Sequence, residues 1–183
     1  KRQGLVHAVE NAVSGKPVGA KTQILLVIAL LSGSAQAAER VDAHQHSAFW
    51  LWSGVKASND LQNAQTVYLH QGEVLTRAGE VIFQRLGLPV SRLTFPAIWL
   101  TVRFTTLDVP QTIVPRIVRL MQRWRAAGNQ VVGLQVDFDA ATYQLADYAQ
   151  CLQQLRQQLP PEFALGVTGL LDWAKTGDIA TLN

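Results

Sequence analysis

VVGLQVDFDAATYQLADYA, residues 131–149, is the stretch on which the fold turns. Its first half alternates with period two: Leu134, Val136 and Phe138 fall on one face of a strand, Gln135, Asp137 and Asp139 on the other. Its second half runs into QLADYAQCLQQLRQQL, residues 144–159, where apolar residues recur at helical spacing until Pro160 and Pro161 end the helix. A strand that feeds into an amphipathic helix is half of a β-α-β crossover, the repeating unit of a parallel sheet covered by helices. The stretch also poses a chemical question, because a buried strand has no evident structural use for two acids. Either Asp139 caps the following helix and Asp137 sits in a buried ion pair, or both carboxylates face a site.

Upstream, three more segments read as strands: AFWLWSGV (48–55), TVYLHQG (66–72) and AIWLTVRFTT (97–106). In the last, Ile98, Leu100, Val102 and Phe104 share one face, while Trp99, Thr101, Arg103 and Thr105 share the other. The segment TIVPRIVRLMQRWRAAG, residues 112–128, follows as a helix with Ile113, Ile117, Leu120 and Trp124 on its apolar stripe. Arg116, Arg119 and Arg123 form its solvated side, and Gly128 stops it. Downstream, FALGVTGLLDW (163–173) reads as a fifth strand, with another helix starting near the chain end. No Gly-rich phosphate loop follows any strand, which removes the main support for a nucleotide-binding fold. The remaining candidate is the N-terminal part of a (β/α)8 TIM-like barrel. A complete barrel takes roughly 200 residues or more, so residues 38–183, with about five βα units, are expected to be an incomplete one.

The charge is unevenly placed. Residues 1–37 carry Lys1, Arg2, Lys16 and Lys21 against Glu10, a net of +3, while the rest balances 12 basic against 12 acidic residues. A neutral body lacks the overall electrostatic footprint of a nucleic-acid binder. The leader has its own logic: Lys21, the apolar run ILLVIALL (24–31), and Ala35 and Ala37 in an A-x-A arrangement read as a secretory signal cleaved after Ala37. The run is too short to span a bilayer, which takes ~20 apolar residues, so no membrane span is expected after cleavage and the protein is expected to be exported, periplasmic or secreted. Residues 1–20 are longer than an ordinary n-region and receive no fold.

Read as a barrel strand, residues 131–139 point Gln135, Asp137 and Asp139 inward at the C-terminal end, where barrels place their chemistry. Two carboxyls there suit glycoside hydrolysis, in which one protonates the leaving oxygen and the other acts as base or nucleophile. Spaced by two strand residues, they would lie about 7 Å apart. Asp139 is the candidate acid/base and Asp137 its partner. Arg103, inward on the preceding strand, would hold one of them ionised, and Trp52, Asp172 and Trp173 near strand ends would shape a sugar site, with Trp99 as a further aromatic surface. Cys151, the only cysteine, lies among apolar residues at helical spacing and reads as a buried, inert thiol. His44 and His46 form an H-x-H without a third ligand. His70 reads as filling a strand position. Neither a metal nor a cofactor is expected.

GLQVDFDAATYQLADYAQCLQQLRQQLP followed by LGVTGLLDW, with AFWLW upstream, resembles a bacterial exported family catalogued as domain of unknown function 3142. The resemblance reaches from Ala48 to the C-terminus and places the family's D-x-D and D-W motifs on Asp137, Asp139, Asp172 and Trp173. It implies a fold similar to TIM-barrel glycoside hydrolases. The strand is also similar to the acid-rich fourth strand of chitinase-like barrels, but Ala141 stands where those carry a glutamate proton donor. The resulting expectation is an exported glycoside-hydrolase-like protein acting on polysaccharide or envelope glycan. The alternative is a non-catalytic glycan-binding or envelope interaction protein.

Overall fold

The computed structural model describes Asp42, residues 45–56 and residues 59–176; the leader with its apolar run at 24–31, and His44, lie outside the described residues. Six strands form one sheet: β1 (Ala48–Leu51), β2 (Thr66–Arg77), β3 (Glu80–Arg85), β4 (Ala97–Phe104), β5 (Val131–Asp137) and β6 (Ala164–Val167). The helices are α1 (Ile113–Ala126), α2 (Leu145–Gln158) and α3 (Leu171–Thr176). The spatial order is β1-β2-β4-β5-β6, every neighbouring pair parallel, with β3 antiparallel beside β2. Strand order therefore follows chain order without reversal. Right-handed crossovers that always step the same way stack their helices on one face, whereas a doubly wound sheet reverses its order and covers both. The result is a mixed α/β fold compatible with part of an α/β barrel.

The helix-bearing face is the core. Val67, Leu69, Ile98, Leu100, Val102, Leu134 and Val136 are fully or almost fully buried there. They meet the predicted stripe of α1 (Ile113, Ile117, Leu120, Trp124) and the buried side of α2 (Leu145, Tyr148, Cys151, Leu152, Leu155) in one cluster. Cys151 is buried as expected, and desolvation pushes its thiol up to about 11, well away from thiolate chemistry.

Besides β1, expected over residues 48–55 but ending at Leu51, and β5, ending at Asp137 short of Asp139, two elements depart further from the sequence reading. The strand expected to stop at Gly72 runs on to Arg77 and turns back as β3, which the alternation upstream had not revealed. The turn residues Ala78 (φ 52°) and Gly79 (φ 83°) both take positive φ, as a two-residue hairpin turn requires. Where the four-residue β1 ends, β3 takes over the same edge of β2. The strand expected over 163–173 ends at Val167, and Asp172 and Trp173 lie in α3 rather than at a strand end. Adjacent Leu170 and Leu171 break the alternation, and Asp172 falls in the first helical turn, where a carboxylate is favoured.

Candidate active site

The other face of the sheet is polar and aromatic, and parallel register arranges it in rows. The first row is Trp50, Tyr68, Trp99, Gly133 and Ala164 on five neighbouring strands. The three rings lie nearly parallel, with centroids 4.8 Å apart for Trp50 and Tyr68 and 6.1 Å for Tyr68 and Trp99. Trp99 leans across β5 and β6, and this explains two glycines. A Cβ on Gly133 would stand 2.8 Å from Trp99 Cζ3, and one on Gly166 3.2 Å from it. Of the three rings, Trp50 at the end of the row is exposed, at 51%, and Tyr68 and Trp99 are half-buried.

The second row holds His70, Thr101 and Gln135. Gln135 Oε1 accepts from Thr101 Oγ1 (2.9 Å) and from Trp50 Nε1 (2.9 Å). The second bond fixes the shape of the sheet. Strands spaced about 4.8 Å put β1 and β5 roughly 14 Å apart on a flat sheet, so a direct bond between their side chains requires the sheet to curl toward its polar face.

The third row, at the C-terminal end, is Glu73, Arg103 and Asp137, completed by Thr168 just past β6. Asp137 is buried; its Oδ1 accepts from Thr168 Oγ1 at 2.7 Å and its Oδ2 pairs with Arg103 NH1 at 3.5 Å. Arg103 NH2 meets Asp139 Oδ2 at 2.8 Å. One guanidinium thus holds both acids of the D-x-D. With side chains 41% and 60% exposed, the Arg103–Asp139 pair adds little stability, under about 1 kcal/mol, so the fold does not depend on it. Asp139 does not cap the helix: Ala141 precedes the 3₁₀ turn Thr142–Gln144, and its N–H donates to Gln144 Oε1 at 3.1 Å. Nor does Asp139 lie on the strand, which ends at Asp137.

The model of the family described as domain of unknown function (DUF3142) matches residues 91–183. The chain belongs to the DUF3142 family. No curated protein matches the chain, and no solved structure does. The DUF3142 match takes in β4 through α3, and with them Arg103, Asp137, Asp139, Asp172 and Trp173; it starts later than the resemblance, which reached back to Ala48. Trp52, His70 and Glu73 lie outside the DUF3142 match.

Of the site residues expected from this DUF3142 sequence, the structure brings Asp137, Asp139 and Arg103 into direct contact. Trp52 is half-buried with its ring 4.6 Å from that of His70, over a cleft of about 320 Å³ that also takes in Ser53, Lys56 and Leu88. Asp172 is exposed in α3. Trp173 is not brought to the polar face: it is 2% exposed, packs against Tyr148, and donates from Nε1 to the Ala140 carbonyl at 2.8 Å. Among the described residues no group of three or more His, Cys, Asp or Glu could hold a metal, and no helix is long and apolar enough to cross a membrane.

Sequence reasoning missed Glu73 and His70 as members of the site. Opposite β4 the register slips between His70 and Gly72, so Gln71 is an extra residue. Gln71 turns into the core, where its Oε1 accepts from Trp124 Nε1 (2.7 Å) and Arg85 NH1 (2.8 Å). The slip puts Val74 in the core opposite Phe104 and Glu73 beside Arg103. His70 is buried, its Nδ1 3.2 Å from Ser53 Oγ, and its Nε2 has no hydrogen-bond partner among the described residues. Burial chiefly lowers its pKa from the ordinary 6.5, against the opposing pull of Glu73. The ring is therefore neutral at pH 7, a donor or acceptor rather than a cation.

Proposed function

We propose that the protein is an exported, TIM-like barrel protein that acts on polysaccharide or envelope glycan. The observation that carries the reading is the row at the C-terminal ends of the parallel strands, where Arg103 holds Asp137 and Asp139 with Glu73 alongside. Glycoside cleavage needs a proton donor for the leaving oxygen and a carboxylate for the sugar carbon or a water. Asp139, exposed, is the candidate acid/base. Asp137, oriented by Thr168, is the candidate partner. Trp50 offers an exposed ring on the same face for sugar stacking, and Trp52 borders it through His70.

A second reading is a non-catalytic glycan-recognition protein. It is favoured by the 2.8 Å contact of Arg103 with Asp139, which engages the carboxyl that would have to deliver a proton. One experiment separates the two: a panel of bacterial envelope and exopolysaccharide glycans is assayed for released reducing ends and for binding, with the wild type beside Asp139→Asn and Trp50→Ala. Release by the wild type and Trp50→Ala but not by Asp139→Asn establishes the hydrolase. Binding without release, weakened in Trp50→Ala, establishes recognition. A wild type that neither binds nor cleaves any of them refutes both.

A further inference from the structure

On the helix-bearing side, β3 and α1 border a groove of about 560 Å³ lined by Arg85, Arg116, Arg119 and Arg123 over a floor that includes Phe83 and Leu120. The arginines of α1 stand at i, i+3 and i+7, one face of the helix, spread over about 10 Å of its axis. The helix, IVPRIVRLMQRWRA, contains no acidic residue. Arg116 reaches only the Phe83 carbonyl, at 3.4 Å, and neither Arg119 nor Arg123 makes a hydrogen bond or ion pair among the described residues. Arg85 is anchored to Gln71 Oε1 and to the Leu88 carbonyl, yet its Nε is buried without a partner among the described residues.

Like charges stacked along one helix face oppose folding, and among the described residues no acidic side chain lines the groove. Burial first, and then the neighbouring charge of Arg123, lower the pKa of Arg85. The neutral sum of the body conceals this concentration of positive charge. Arginine forks match phosphate oxygens two at a time, and a groove of this volume is in the range of small-ligand sites.

We propose that the groove between β3 and α1 binds a soluble ligand carrying two or more closely spaced phosphate groups, with Arg119 and Arg123 as its main contacts and Arg85 at its inner end. The site lies on the opposite side of the sheet from the carboxylate row and is independent of the glycan reading.

The test is titration calorimetry of the full chain with inorganic tripolyphosphate and with orthophosphate at low salt. Phosphatidylcholine vesicles with and without phosphatidylglycerol form a third arm. Tripolyphosphate is expected to bind at least about tenfold more tightly than orthophosphate and to weaken steeply with salt. The Arg119→Gln/Arg123→Gln variant is expected to lose at least about tenfold in affinity while melting no lower than the wild type, because neither side chain bonds within the described residues. A second variant, Arg119→Lys/Arg123→Lys, keeps the charge and loses the fork; affinity intermediate between wild type and the Gln variant supports recognition by geometry as well as charge. Tripolyphosphate binding unchanged in the Gln variant overturns the proposal. So does capture by anionic vesicles without tripolyphosphate binding, which would make the arginines a membrane-facing surface.

Discussion

Gly133→Ala tests whether close approach of β6 and Trp99 to β5 shapes the polar face. An added Cβ would fall well inside van der Waals contact with the Ala164 carbonyl oxygen and 2.8 Å from both the Ala164 carbonyl carbon and Trp99 Cζ3. A side chain can rotate away, but the carbonyl belongs to the ladder that pairs β5 with β6. Overpacking of this kind costs about 3 kcal/mol, which for a chain of this length lowers Tm by roughly 6–12 °C. Gly166→Ala meets only the Trp99 edge, from 3.2 Å outward, and should cost about 1 kcal/mol. Gly169→Ala meets nothing within 4 Å and should be neutral or stabilising by about 0.5 kcal/mol. Trp99→Leu should relieve Gly166→Ala in a double-mutant cycle but leave most of the Gly133→Ala penalty, which rests on backbone. Denaturant unfolding followed by circular dichroism measures the four single and two double variants. If Gly133→Ala loses less than about 1 kcal/mol, the close approach does not govern this face, and if Trp99→Leu restores it fully, the backbone of β6 is not what sets the penalty.

Ala78, at φ 52° in the β2–β3 turn, pays the left-handed cost of an L-residue, so Ala78→Gly or Ala78→Asn should stabilise the protein by about 0.5–1 kcal/mol in the same unfolding assay; a loss of stability would mean that the turn is held by something else. His70 has its folded pKa lowered below 6.5, so the unfolded chain takes up that proton first. Its contribution is present above pH 6.5 and is lost as pH falls toward the lower folded value. Tm should accordingly decline on acidification below 6.5, and less steeply in His70→Gln; identical slopes would remove His70 as the cause. Gln135→Leu strands the donor of the fully buried Thr101 and should cost about 1–3 kcal/mol, with the Trp50 emission shifted as its indole N–H loses its acceptor; unaltered emission would argue against the curl inferred from that bond.

Much of the fold was legible because the relevant patterns are long and regular. β4, β5, α1 and α2 each carry an unbroken period of two or 3.6, and the structure buries the faces those periods select. The contact of Arg103 with Asp137 follows from two such patterns placed side by side. Other features were hidden for identifiable reasons. The hairpin turn uses Ala78-Gly79, without the Asn or Asp that usually marks one. Counting by twos from Val67 puts Glu73 on the core face, and only the extra residue at Gln71 moves it to the site. Trp173 looked exposed at a strand end because a D-W pair does not reveal that the chain has already turned into a helix whose tryptophan is buried beneath it. The arginines of α1 read from the sequence as a solvated face rather than a binding patch; they are exposed, and the groove they line exists only once β3 lies beside the helix.

The extra residue at Gln71 gives β2 something like a reading frame. Removing that one position would set Gly72 directly after His70, as Val102 follows Thr101 on β4, so Glu73 and Val74 would keep their faces and only the buried amide that accepts from Trp124 and Arg85 would be lost. A single-codon insertion there, by contrast, would turn every later residue of β2 to the other face, Val74 outward and Glu73 against Phe104, and a compensating deletion before Arg77 would confine the damage to the few positions between them. Related chains should therefore be able to lose the one extra residue of β2 but not to gain a second, whatever the individual side chains do.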